Sequence, residues 1–114
     1  MTKLHAVRGE AAPEFEPIAA ERRVEGAPMT ETRLDYRLDN TIYVGEWAAD
    51  VGAWRVDYEE WEFCHVLEGV CELTSDAGET QRFHAGDSFV IEPGFVGVWR
   101  VIAPMRKRFV VRTS

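Results

Sequence analysis

From Tyr36 onward, apolar and polar residues alternate in short runs rich in β-branched and aromatic side chains. These predict strands at Thr41–Ala48, Ala53–Tyr58, Glu62–Glu68, Val70–Thr74, Glu79–His84, Ser88–Ile91, Gly97–Ile102 and Lys107–Arg112. Turn signals punctuate them at Val51-Gly52, Glu68-Gly69, Asp76-Ala77-Gly78, Ala85-Gly86-Asp87 and Pro93-Gly94. No apolar stripe of helical period survives in this stretch, so the expectation is an all-β sandwich or barrel. Before it the pattern is different. Ala, Glu, Pro and Arg dominate, and Phe15, Ile18, Val24 and Met29 stand isolated. Residues 1–35 are therefore expected to be an extended arm, and 36–114 the folded domain.

Period-two alternation also sorts side chains by face. If Glu62 points inward, so do Cys64 and Val66, while Phe63 and His65 point outward. Trp54, Val56 and Tyr58 share the inner face, as do Gly97, Trp99 and Val101. Lys107, Phe109 and Val111 form a further inward set, although the run Arg106-Lys107-Arg108 by itself suggests a solvated strand edge.

The turns carry a resemblance. Arg82-Phe83-His84-Ala85-Gly86-Asp87 opens a strand that ends at the Glu92-Pro93-Gly94 corner, and Glu62-Phe63-Cys64-His65-Val66-Leu67-Glu68-Gly69 ends a preceding motif. With Gly45-Glu46-Trp47, Gly94 to Trp99 and Arg106 to Val110, these segments resemble short bacterial cupins of the RmlC-like superfamily, grouped with ureidoglycine aminohydrolase and ethanolamine-utilisation cupins. The resemblance covers roughly residues 36–112 and implies a double-stranded β-helix, a jelly-roll-like barrel. It also implies a metal site, whose usual ligand positions fall on Val56, Tyr58, Glu62 and Gly97. Only Glu62 among them is an ordinary ligand, so no metal cofactor is expected. A divalent ion, if bound, is expected at Glu62 with His65 or Cys64.

The pocket candidates are Trp54, Tyr58, Glu62, Trp99 and Lys107. Glu62 is the best candidate for a catalytic acid or base, because a lone carboxylate facing an apolar interior is costly to ionise. Its structural alternative is a hydrogen bond to Tyr58 or to a lysine. Lys107 either partners Glu62 or holds a ligand carboxylate. Trp99 is the expected pocket wall, with Gly97 supplying space beside it. Trp47 and Trp61 are further aromatic candidates, with core filling as the competing role.

Composition narrows the partners. A net charge of -7 disfavours nucleic acid. No run approaches the roughly 20 apolar residues of a membrane span, nothing at Met1 to Gly9 reads as a signal peptide, and Cys64 and Cys71 read as reduced core thiols, so a cytoplasmic location is expected. A chain of 114 residues buries little surface. A homodimer is expected, with the arm packing on the partner subunit. Three functions stay open: a small polar metabolite bound in the barrel beside a degenerate metal site, a metal-dependent enzyme of the ureidoglycine aminohydrolase type acting on a small nitrogenous metabolite, or a non-catalytic accessory or assembly module.

Overall fold

A computed structural model describes residues 3–113. The strands are β1 (Glu14–Pro17), β2 (Arg23–Glu25), β3 (Met29–Leu38), β4 (Ile42–Ala49), β5 (Gly52–Asp57), β6 (Trp61–Ser75), β7 (Thr80–His84), β8 (Ser88–Ile91) and β9 (Val96–Arg112). One short 3-10 turn, Ala20–Arg22, is the sole helical element among the described residues. No helix among them is long and apolar enough to cross a membrane.

All nine strands join one antiparallel sheet, and its pairing shows how it curls. β8 pairs the first half of β6, which pairs the second half of β9, followed by β4, β3 and β1. β7 pairs the second half of β6, which pairs the first half of β9, followed by β5 and β2. The sheet is therefore two leaves sharing β6 and β9, folded face to face. This is a jelly-roll barrel, the double-stranded β-helix that the resemblance implies.

Two details differ from the sequence reading. β6 and β9 each run unbroken where two strands are expected, with a turn at Glu68-Gly69 in the first case. Gly69 bends β6 through a series of register shifts rather than closing it. Its φ is +86, and a Cβ there would lie 2.3 Å from the Pro104 carbonyl oxygen, so only glycine allows the two long strands to cross the corner together. The second detail concerns the arm. Its residues are extended, but β1 pairs β3 at the edge of one leaf and β2 pairs β5 at the edge of the other. β3 runs across the expected boundary between residues 35 and 36 without a break.

The core lies between the leaves. Trp54, Val56, Cys64, Val66, Cys71, Leu73, Ile91, Trp99, Val101, Met105 and Phe109 are all buried in it. Trp54, Val56, Cys64, Val66, Trp99, Val101 and Phe109 fall on the face that strand alternation assigns, while the register shifts around Gly69 move the buried phase of β6 to Cys71 and Leu73.

Candidate functional site

At one end the leaves part around a cavity of about 440 Å³. Trp54, Tyr58, Glu62, Trp99 and Lys107 all line it. β5 contributes Trp54 and leads into Tyr58. Glu62 stands on the first half of β6, and Trp99 and Lys107 on the two halves of β9. These residues are spread over more than fifty positions of sequence. They converge because each occupies an inward-facing position on a leaf whose register is set by β9.

Lys107 organises the floor. The residue is 3% exposed, and its ammonium donates to Glu62 Oε2 at 2.8 Å and to Cys64 Sγ at 3.4 Å. It also lies 4.7 Å from the ring centroid of Trp47 and 4.4 Å from that of Trp99, so two aromatic faces share the buried charge. Burial works against that charge, but the Cys64 sulfur and the Glu62 carboxylate outweigh it and raise the Lys107 pKa. Lys107 is thus held as a cation and is a poor nucleophile. Of its three N–H donors, two are used within the protein. Tyr58 and Cys64 also stand within hydrogen-bonding reach of the Glu62 carboxylate.

The neighbours are neutral. Burial, reinforced by the Glu62 charge, pushes the Tyr58 hydroxyl well above the ordinary 10.0. Burial also pushes the Cys64 thiol up to about 12, even beside the lysine. The walls are aromatic: Trp47 lies 5.5 Å from Trp99 edge-on, and Trp54 lies 6.4 Å from Trp99 with nearly parallel rings. Trp99 Nε1 is buried and has no protein acceptor.

These residues do not fit a metal ion. Val56 has no donor atom. A Cβ on Gly97 would sit 2.1 Å from the Thr74 carbonyl oxygen, so this position is a close approach of two strands. It neither supplies pocket space, as the sequence reading has it, nor admits a ligating side chain. Glu62 is engaged by an ammonium, and a metal cation at the same oxygen would meet like charge at contact distance. His65 points away on the outer face, its Nδ1 2.7 Å from Ser88 Oγ, so it does not join Glu62. Cys64 does lie beside Glu62, but as a protonated thiol. Among the described residues, no three His, Cys, Asp or Glu side chains converge.

The sequence reading missed the cover of the cavity. Glu16, Pro17, Ile18, Ala19 and Arg22 line it from the arm, as do Thr30 and Thr32 from β3. The short β1 and β2 grip opposite leaves, so the chain between them spans the mouth. Only the isolated apolar Ile18 signalled this, and it packs on the core from above.

Comparison with known proteins places this geometry. A family model of the EutQ-like cupin domain matches residues 37–109, well over half the chain. A DUF861-family protein of unknown function from Pseudomonas syringae pv. tomato superposes with a TM-score of 0.82 at 17% identity, over 92% of this chain and 46% of its own. The chain thus spans about half the length of that protein. A DUF861 protein from Thermotoga maritima is 30% identical over 56% of this chain and 73% of its own, with a TM-score of 0.55. A putative ethanolamine utilization protein Q from Salmonella typhimurium is 16% identical, with 92% and 98% coverage and a TM-score of 0.66. No curated protein matches. The structural likenesses below a quarter identity speak for the fold alone, and the family match adds the lineage: this chain belongs to the EutQ-like cupin family.

Proposed function

We propose that this cupin binds a small polar metabolite in its barrel without a metal ion, using Glu62, Lys107 and Tyr58 as the polar floor and Trp54 and Trp99 as walls. The observation that carries this reading is the Lys107–Glu62 pair. A buried ion pair is weak evidence for stability, because desolvation consumes much of its attraction. Here it opens onto a cavity of about 440 Å³, a volume suited to a small ligand. One lysine donor is left over beside the Glu62 carboxylate and the Tyr58 hydroxyl, which suits a ligand that both accepts and donates hydrogen bonds. A metal-dependent amine-releasing reaction has less support, because polarising a substrate needs an ion that this donor set does not favour.

The protein acts as a dimer in this reading. Phe15, Val24, Met29, Leu34 and Leu38 are exposed large apolar residues concentrated in the arm and β3, as a surface covered by a partner subunit would be. The free thiols Cys64 and Cys71 suit a reducing, cytoplasmic setting.

A thermal-shift screen of small metabolites on the wild-type protein, with mass-spectrometric metal analysis, tests the proposal. The expected result is a metal-free protein stabilised by a ligand whose effect is lost in Glu62→Gln and Lys107→Ala. A stoichiometric ion that disappears in Glu62→Ala would overturn it, as would a ligand indifferent to both substitutions. A monomer by size exclusion at micromolar concentration would remove the dimer alone.

A further inference from the structure

The mouth of the cavity differs from its floor in one respect. On the floor the charges cancel, Lys107 against Glu62. At the mouth, the strap between β1 and β2 places Arg22 and Glu16 along the lining, and neither makes an ion pair among the described residues. The strap is fixed well enough to give Arg22 a definite place. Thr30 Oγ1 donates to Glu16 O at 2.8 Å, Arg23 Nε donates to Ile18 O at 2.9 Å, and Arg22 N donates to Ala19 O at 2.9 Å. Glu16 belongs to β1, opposite Thr30 on one leaf, whereas Arg22 closes the 3-10 turn just before β2 on the other. The two charges therefore approach the mouth from opposite sides. The strap precedes residues 37–109, the part that the family model matches.

We infer that the strap selects the ligand by charge: Arg22 receives a carboxylate at the outer end of the metabolite, while its inner end meets Lys107 and Glu62. A carboxylate fits better than a phosphate dianion, because Arg22 is the one cation lining this cavity that is not neutralised by a described partner. A planar guanidinium at a half-open rim suits such a group, presenting parallel donors in fixed geometry. Glu16 opposes it from the other side and limits the selection to singly charged anions. This inference rests on the small-ligand reading of the cavity.

The cavity contains its own reporters. Trp47, Trp54 and Trp99 line it, so in a Trp61→Phe background all the tryptophan fluorescence comes from the site. Quenching by neutral acrylamide, anionic iodide and cationic caesium at matched ionic strength separates access from charge. The whole protein is anionic, at -7, so its overall field favours caesium. The inference predicts the reverse: with each constant taken relative to that of free N-acetyltryptophanamide with the same ion, iodide quenches more than caesium. Arg22→Ala should lower the iodide constant about two-fold, as expected for one charge within a Debye length. Arg22→Glu should invert the order, and Glu16→Gln should raise iodide quenching. Because Arg22 and Glu16 line the mouth, acrylamide reports any change in the opening, and each ionic constant is read as its ratio to the acrylamide constant of the same variant. Caesium matching or exceeding iodide, or an iodide constant indifferent to Arg22, overturns the inference while leaving the pocket intact. If acrylamide itself fails to quench, the cavity is closed to small molecules and the binding proposal falls with it.

Discussion

β9 carries two charged clusters a single residue apart, and they are built on opposite principles. Lys107 points into the barrel and has one carboxylate, one thiol and two aromatic rings around it. Arg106 and Arg108 point out, where they meet Glu46, and Arg106 also reaches Glu31, which is paired with Arg33. The outer cluster is redundant: Glu46 has two cations, and each cation keeps access to solvent. It is also sealed by the chain's own start. Gly9 lies over Glu46 so closely that a Cβ would fall 1.8 Å from Oε2, and Asp35 accepts the N–H groups of Gly9 and Ala11. The inner pair is solitary, dry and faces a cavity. A network of redundant partners under its own covering segment serves the fold. On the small-ligand proposal, a buried pair at the floor of a cavity serves binding instead.

The strongest way to break the comparison is to remove one charge from each cluster. Lys107→Ala leaves the Glu62 carboxylate buried without its cation and should cost about 3–5 kcal/mol, as for other uncompensated buried charges. Replacing both members, as in Glu62→Leu with Lys107→Met, should recover most of that loss, because neither charge then has to be desolvated. Glu46→Gln, by contrast, should cost less: Glu46 is 7% exposed, but the amide keeps an acceptor for the arginines, and Arg106 and Arg108 can turn to water. Urea unfolding of the four proteins measures all of these. A Lys107→Ala protein no less stable than Glu46→Gln would show that the inner pair is hydrated and the contrast is wrong.

The pH dependence sharpens the difference on the alkaline side. The interior groups Cys64, Cys71, Tyr58 and Lys107 all have raised pKa values, the thiols at about 12 and about 11 against an ordinary 9.0. Above pH 9 an unfolded chain releases its thiol protons while the native barrel retains them, so the unfolded state binds fewer protons and stability falls as pH rises. Tyr58 and Lys107 act in the same sense from about pH 10 upward. The full contribution is present below pH 9, and each thiol should remove about 1 kcal/mol per pH unit between its unfolded and folded values. Urea midpoints from pH 7 to 11 should trace this limb, and Cys64→Ala should make it shallower. A midpoint flat across that range would mean that the core admits water and hydroxide.

Much of this interior is legible in the sequence because period two is a strict rule. Counting from Glu62 alone brings Cys64 and Val66 inside, and the same count on β5 and β9 brings in Trp54, Trp99 and Lys107. What alternation does not carry is the distance between strands. Gly97 reads as open space from its missing side chain, yet it is glycine because the Thr74 carbonyl oxygen would lie 2.1 Å from a Cβ. The strap is hidden for a different reason. β1 and β2 have four and three residues, too short to show a period, and their side chains are exposed, so no apolar signal accompanies the pairing. The outer cluster is obscured by its sequence spacing, since Glu31, Glu46, Arg106 and Arg108 meet only through the register of β3, β4 and β9.

The smallest expected effect belongs to that outer cluster, and it lies at the other end of the pH scale. The Arg33 hydrogen bond at 2.7 Å holds the Glu31 carboxyl below its ordinary 4.5, with help from Arg106 that outweighs partial burial. A carboxylate with a depressed native pKa stabilises the fold above its unfolded value and loses that contribution as pH falls through the folded one. Glu31→Gln should therefore make the acid limb of the stability profile shallower below pH 4.5 and leave the alkaline limb untouched. Cys64→Ala should do the opposite. Because Glu31 and its arginines are near solvent, the acid effect should shrink when salt rises from 50 to roughly 500 mM, as screening predicts. The alkaline effect comes from burial rather than from a surface pair, so the same salt should leave it nearly unchanged. If both limbs respond equally to salt, the two clusters share one electrostatic environment, and Lys107 is wetter than its place between Trp47 and Trp99 implies.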